Sequence, residues 1–105
     1  MFSVMNETKW NELRLKMYSL ETHSPKWRTK DIESGYISSW SGEWYYHFEI
    51  GGFRCIEWVE LKTKGSIHHE LIRVELQKIN LPGHEIENGF RVYGYIADGQ
   101  FVDYV

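Results

Sequence analysis

Two histidine settings in this chain carry residue types suited to chemistry. His47 lies between Tyr45 and Glu49 in GEWYYHFEI, and on an extended strand these three share one face. Glu57, in the following run FRCIEWVEL, can approach that face across a hairpin. An imidazole beside a carboxylate is the raw material of general acid–base catalysis. No candidate nucleophile or oxyanion loop accompanies the pair, so a cross-strand polar contact is the favoured reading and no catalytic residue is assigned. His68-His69-Glu70 invites a metal. Neighbours on a helix point about 100° apart, whereas ligands on one helix need i,i+3 or i,i+4 spacing. The triplet therefore reads as the polar first turn of a helix, and neither metal nor cofactor is assigned.

Glu43, Glu49, Glu57 and Glu60 fall within 18 residues. Paired carboxylates can cleave glycosides or hold a divalent ion. No EF-hand pattern or dense Asp cluster is present, so solvated strand edges or an acidic protein-binding patch fit better. Lys26-Trp27-Arg28-Thr29-Lys30 interleaves cations with an aromatic, as single-strand binders do. Asp31 and Glu33 dilute that charge, and Trp27 anchored in the core with its neighbours in water is preferred. Neither glycine-rich phosphate motif occurs, and Cys55 reads as a small core residue within a strand.

The elements that must position these groups follow from spacing. Asn6 caps a helix whose stripe is Trp10, Leu13, Met17 and Leu20, ending near Thr22 before Ser24-Pro25. A mixed segment, KWRTKDIESG, leads into three predicted strands: Tyr36–Trp40, Glu43–Ile50 and Phe53–Leu61. Ser41-Gly42 and Gly51-Gly52 supply the turns of that meander. Trp44, Tyr46, Phe48 and Ile50 would face the core. After the polar break Lys62–Gly65, Ser66 caps a second helix that turns Ile67, Leu71, Val74 and Ile79 to the sheet, with Ile72 and Leu76 flanking, and ends at Leu81-Pro82-Gly83. Phe90–Ile96 is a fourth strand, and Asp98-Gly99 folds Phe101–Tyr104 back as a fifth. The expected class is α+β: one domain over 1–105, an antiparallel sheet made of the meander plus a C-terminal hairpin, and two helices on one face. Residues 1–5 read as a disordered extension, with Met5 as a candidate start.

The chain has 105 residues and net charge −3, with 5 Trp, 7 Tyr and 5 Phe to supply core area. Residues 36–105 hold 6 Lys/Arg against 10 Asp/Glu, which disfavours a nucleic-acid partner for the predicted sheet. One cysteine excludes an intrachain disulfide and fits a reducing compartment. No run is long and apolar enough to span a bilayer, and the N-terminus lacks a signal peptide, so the expected location is cytoplasmic.

The segments NETKWNELRLKMYSL, SPKWRTKDIESGYISSW, GEWYYHFEIGGFRCIEWVE and LPGHEIENGFRVYGY resemble a family of small bacterial domains of unknown function, over most of the chain up to Tyr95. The resemblance implies a stand-alone bacterial domain and brings no catalytic residue with it. The leading expectation from the residues is a non-enzymatic module of immunity or inhibitor type. Its partner would be a protein, basic if the glutamates steer it, and a homodimer is the other possibility. The candidate binding residues are Tyr45, His47, Glu49, Glu57, Tyr93 and Tyr95. The alternatives are a small-ligand site among Tyr45, His47, Tyr93 and Tyr95, or a small enzyme built on His47 and a carboxylate.

Overall fold

The computed structural model describes residues 1–105. Helix α1 spans Glu7–Ser19, its start fixed by Asn6 Oδ1, which accepts the Lys9 amide at 2.8 Å. It buries Trp10, Leu13 and Met17 at the expected spacing. Four strands form one antiparallel sheet: β2 (Lys26–Asp31), β3 (Ile56–Lys62), β4 (Gly83–Ile86) and β5 (Gly89–Tyr93), in the order β2-β3-β5-β4. Helix α2 (Gly65–Ile79) crosses from β3 to β4, and β1 (Phe2–Ser3) pairs with β6 (Tyr95–Ile96) in a second, two-stranded sheet. In this α+β fold both helices pack on one sheet face. Their apolar stripes share a core with Trp27, Val59, Leu61, Phe90 and Val92.

The strands are not those of the expected meander. Glu43–Ile50 is a looped turn, because the Glu43 carboxylate draws in three successive amides, and β3 already has β2 and β5 on its two edges. Trp44 and Phe48 enter the core four residues apart, while Tyr46 and Ile50 are exposed. Gly51 and Gly52 both adopt positive φ, +83° and +80°, but close this loop rather than a hairpin. The mixed segment from Lys26 is itself β2, and Tyr36–Ser41 only bridges its edge through Ile37 and Ser41. Trp27 is anchored in the core as expected.

Helix α2 is also rotated from its expected phase. Ile72, Leu76 and Ile79 are buried, Ile67 and Val74 are exposed, and the helix begins at Gly65 without a Ser66 cap. The C-terminal hairpin lies earlier than expected: β4 and β5 turn at Glu87-Asn88. Phe101–Tyr104 makes only a bridge from Tyr104 to Pro82. Gly94 ends β5 and redirects the chain to β6, which meets Phe2 and Ser3. The stretch expected to be a disordered extension thus carries a strand. No helix is long and apolar enough to cross a membrane.

Candidate functional site

Three polar or aromatic arrangements rise above the general surface. The first is the Tyr45 turn. Glu43 accepts from the amides of Tyr45 (2.7 Å), Tyr46 (2.7 Å) and His47 (2.9 Å). Burial pushes the Glu43 carboxyl up, but the three amides outweigh it and hold the group below its ordinary 4.5. Arg14 of α1 donates to the Tyr45 carbonyl at 2.6 Å, lies 5.1 Å from the Tyr45 ring centre and pairs with Glu49 at 3.7 Å. The rings of Tyr18 and Tyr46 meet that of Tyr45 at 5.0 and 4.9 Å. The result is an exposed cluster of three tyrosines on a turn locked by one carboxylate and one guanidinium.

The second arrangement joins α2 to the β4–β5 hairpin. His69 Nε2 faces Glu85 at 2.5 Å, His69 Nδ1 faces the Thr63 hydroxyl at 2.7 Å, and Arg73 donates to Glu85 at 2.7 Å. Hydrogen bonds from His69 and then Arg73 hold the Glu85 carboxyl below its ordinary range. A carboxylate can only accept, so Nε2 carries the proton toward Glu85. The Thr63 hydroxyl is buried and also reaches the Asn88 carbonyl at 3.2 Å. With the alcohol tied down and Arg73 neutralising the carboxylate, this chain fastens the hairpin to the helix. His68 points elsewhere. It accepts the Lys64 amide at Nδ1 (2.9 Å), which places its proton on Nε2, the donor to the His23 carbonyl at 2.7 Å. The two adjacent histidines therefore serve different partners.

The third arrangement is on the sheet face away from the helices. Glu60, 3% exposed on the central strand β3, binds Arg28 of β2 at 2.9 Å and the Arg91 Nε of β5 at 3.0 Å. Trp40 lies under Arg28 and Trp58 under Arg91, at 4.6 and 4.4 Å from ring centre to guanidinium carbon. Burial works against the Arg91 charge, yet its hydrogen bond to Glu60 prevails and holds its pKa above the ordinary value.

The structure does not bring the six residues singled out from sequence onto one face. Tyr45, His47 and Glu49 lie in the turn beside α1, with the His47 side chain exposed. Glu57 pairs with Lys30 at 3.6 Å, and His47 does not meet it. Tyr93 is on the helix-free sheet face, 5.5 Å from the His84 ring, while the Tyr95 hydroxyl donates to the Arg54 carbonyl at 2.7 Å. Glu43, Glu49, Glu57 and Glu60 are all engaged internally and make no common acidic patch. Sequence reasoning passed over Tyr18, Arg14, Arg91 and Glu85, and it met His69 and Arg28 only within a polar helix turn and a cationic run whose partners are remote in sequence. Arg14 and Tyr18 stand i,i+4 on α1, a readable helical pairing, but nothing local signals that Tyr45 joins them.

Fold and surfaces together define a small two-layer α+β domain with no group of three or more His, Cys, Asp or Glu arranged to hold a metal. Residues 1–99 match the model of a Family of unknown function (DUF6678), and the chain belongs to that family. No curated protein and no solved structure matches it.

Proposed function

We propose that this protein is a non-enzymatic protein-binding module, of immunity or inhibitor type, that engages a protein partner through Tyr18, Tyr45 and Tyr46. The observation that carries this reading is the pre-locked tyrosine turn. Tyrosine presents large area with a polar tip, and Tyr and Arg are enriched among residues that dominate interface energies. Glu43 and Arg14 hold the turn before any partner arrives, which reduces the ordering cost of association. Ile50, 70% exposed in the same loop, extends the apolar area. Because the four glutamates are engaged, the docking surface is aromatic rather than acidic, and shape is expected to select the partner more than charge does.

The test is recovery of a stoichiometric partner from the native host by the tagged protein, repeated with a Tyr18→Ala/Tyr46→Ala variant. A partner held by the wild type, lost from the variant and inhibited on reconstitution supports the reading. Equal capture by both, or no partner, refutes it. One observation favours a second reading as a small-ligand domain. A cavity of about 400 Å³, floored by Trp10 and Phe53 and edged by Arg54 and Tyr95, lies within the usual size of ligand pockets.

A further inference from the structure

The chain is acidic overall, but its sheet sorts charge by face. In the register of the strands, Lys26, Arg28 and Lys30 of β2, Lys62 of β3 and Arg91 of β5 all point away from the helices. Glu60 is the one carboxylate among them in the strand alternation, and it is buried beneath Arg28 and Arg91. Lys30 is taken up by Glu57 at 3.6 Å. Arg28 spends only its Nε on Glu60, and Arg91 spends Nε and one terminal nitrogen there, with the Tyr93 hydroxyl as a further partner. Glu60 thus acts as a strut that spreads two guanidinium groups over neighbouring strands.

One feature of this face works against the fold's own stability. Lys26 and Lys62 are directly opposite partners in the β2–β3 ladder. Like charges in that position destabilise a sheet, and breaches of local rules of this kind concentrate where a surface has work to do. Lys62 is also held over the Trp40 ring at 5.3 Å, in line with Arg28. Aromatic rings flank the cations, Trp40 on one side and Tyr93 with His84 on the other.

We propose that the helix-free sheet face is a binding surface for single-stranded nucleic acid, with phosphates taken by Lys26, Arg28, Lys62 and Arg91 and bases set against Trp40 and Tyr93. A basic track edged by aromatic rings is the chemistry that holds unpaired strands, since every base has a face to stack. A duplex hides those faces, and an acidic protein would need the cations but not the rings. The negative average charge conceals this surface, where Glu60 is buried beneath Arg28 and Arg91 and Glu57 is paired with Lys30, so neither of its carboxylates stands free. The site is independent of the tyrosine turn, which belongs to the helix layer through Tyr18 and the buried Trp44 and Phe48.

Fluorescence anisotropy with labelled oligothymidylate of about 20 nucleotides, longer than a typical single-fold site, tests the proposal. Affinity should fall from about 50 to about 200 mM NaCl with a log–log slope of roughly −3, as expected for about four phosphate contacts on a single strand. Lys26→Glu/Lys62→Glu should weaken binding at least tenfold and reduce the slope by about 1.4, the share of two contacts. Arg54→Glu/Lys78→Glu, the same charge change at exposed positions off this face, should leave both values near wild type. Circular dichroism confirms that each variant is folded. No binding at the lowest salt, or equal loss in both variants, overturns the proposal. Competition by polyglutamate of matched charge as effective as the oligonucleotide itself also overturns it, and assigns the face to an acidic protein.

Discussion

Glu43 does for the Tyr45 turn what an N-cap residue does for a helix: one side chain satisfies several amides that would otherwise face solvent singly. Replacing it with Gln leaves a single acceptor oxygen, so the amides of Tyr45, Tyr46 and His47 are expected to exchange faster with solvent deuterium, and Glu43→Ala faster still. The pH dependence has a definite sign. Glu43, Glu85 and Asp31 all have carboxyl groups held below their ordinary values, so their stabilisation is present above those values and is lost as pH falls through the lower folded ones. Thermal denaturation followed from about pH 6 to about pH 3 should show a falling midpoint, less steep in Glu43→Gln. Glu60 is buried between two guanidinium groups. Glu60→Ala leaves both without their counter-charge. With Arg28 and Arg91 about a third exposed, the cost should be about 3 kcal/mol in urea unfolding, the low end for a broken buried pair. At this scale the sequence showed the glutamates but not their partners. Arg28, Glu60 and Arg91 lie 31 or more residues apart and meet only because three strands align.

Helix α1 was legible from its sequence because one stripe and one cap agree, whereas α2 offers two competing stripes. Ile67, Leu71 and Val74 line one side, and Ile72, Leu76 and Ile79 line another. Periodicity alone cannot choose between them; the sheet chooses, by placing β3 and β5 beneath the second. Leu76→Ala should therefore cost about 2–5 kcal/mol, as for other fully buried leucines. Ile67→Ala, at a position 87% exposed, should stay within about 0.5 kcal/mol. Parallel urea curves measure both, and a reversed order would contradict the observed phase. The strand error has a related cause. Glu43–Ile50 alternates in a way that suits a strand, but Trp44 and Phe48 also satisfy a spacing of four, and the local carboxylate decides between them. Gly89 marks the true hairpin: a Cβ there would lie 1.7 Å from the Leu61 carbonyl oxygen across the ladder. That close approach, invisible in sequence, predicts that Gly89→Ala separates β3 from β5.

At the scale of the whole molecule, the chain is closed by segments remote in sequence. Residues near the C-terminus return to the β4 side, where the Gly83 amide donates to Asp103 and the Val105 amide to Leu81. At the other end, Phe2 and Ser3 pair with Ile96 and Tyr95, and the Val4 amide donates to the Gly94 carbonyl at 2.9 Å. This contact covers Ile96, which is only 4% exposed, and adds an edge beside the cavity over Trp10. A protein beginning at Met5 loses β1 but none of the shared core of helices and central sheet. Net loss of the few ladder hydrogen bonds, at about 1 kcal/mol each and partly replaced by water, should destabilise it by about 1–2 kcal/mol. For a domain near 100 residues this lowers the melting temperature by roughly 5–15 °C while a single cooperative transition remains. Calorimetry of the shortened and full chains measures the shift. An unchanged melting temperature would show that the β1–β6 pair contributes nothing to stability, whereas loss of cooperativity would make the N-terminal strand a condition of folding.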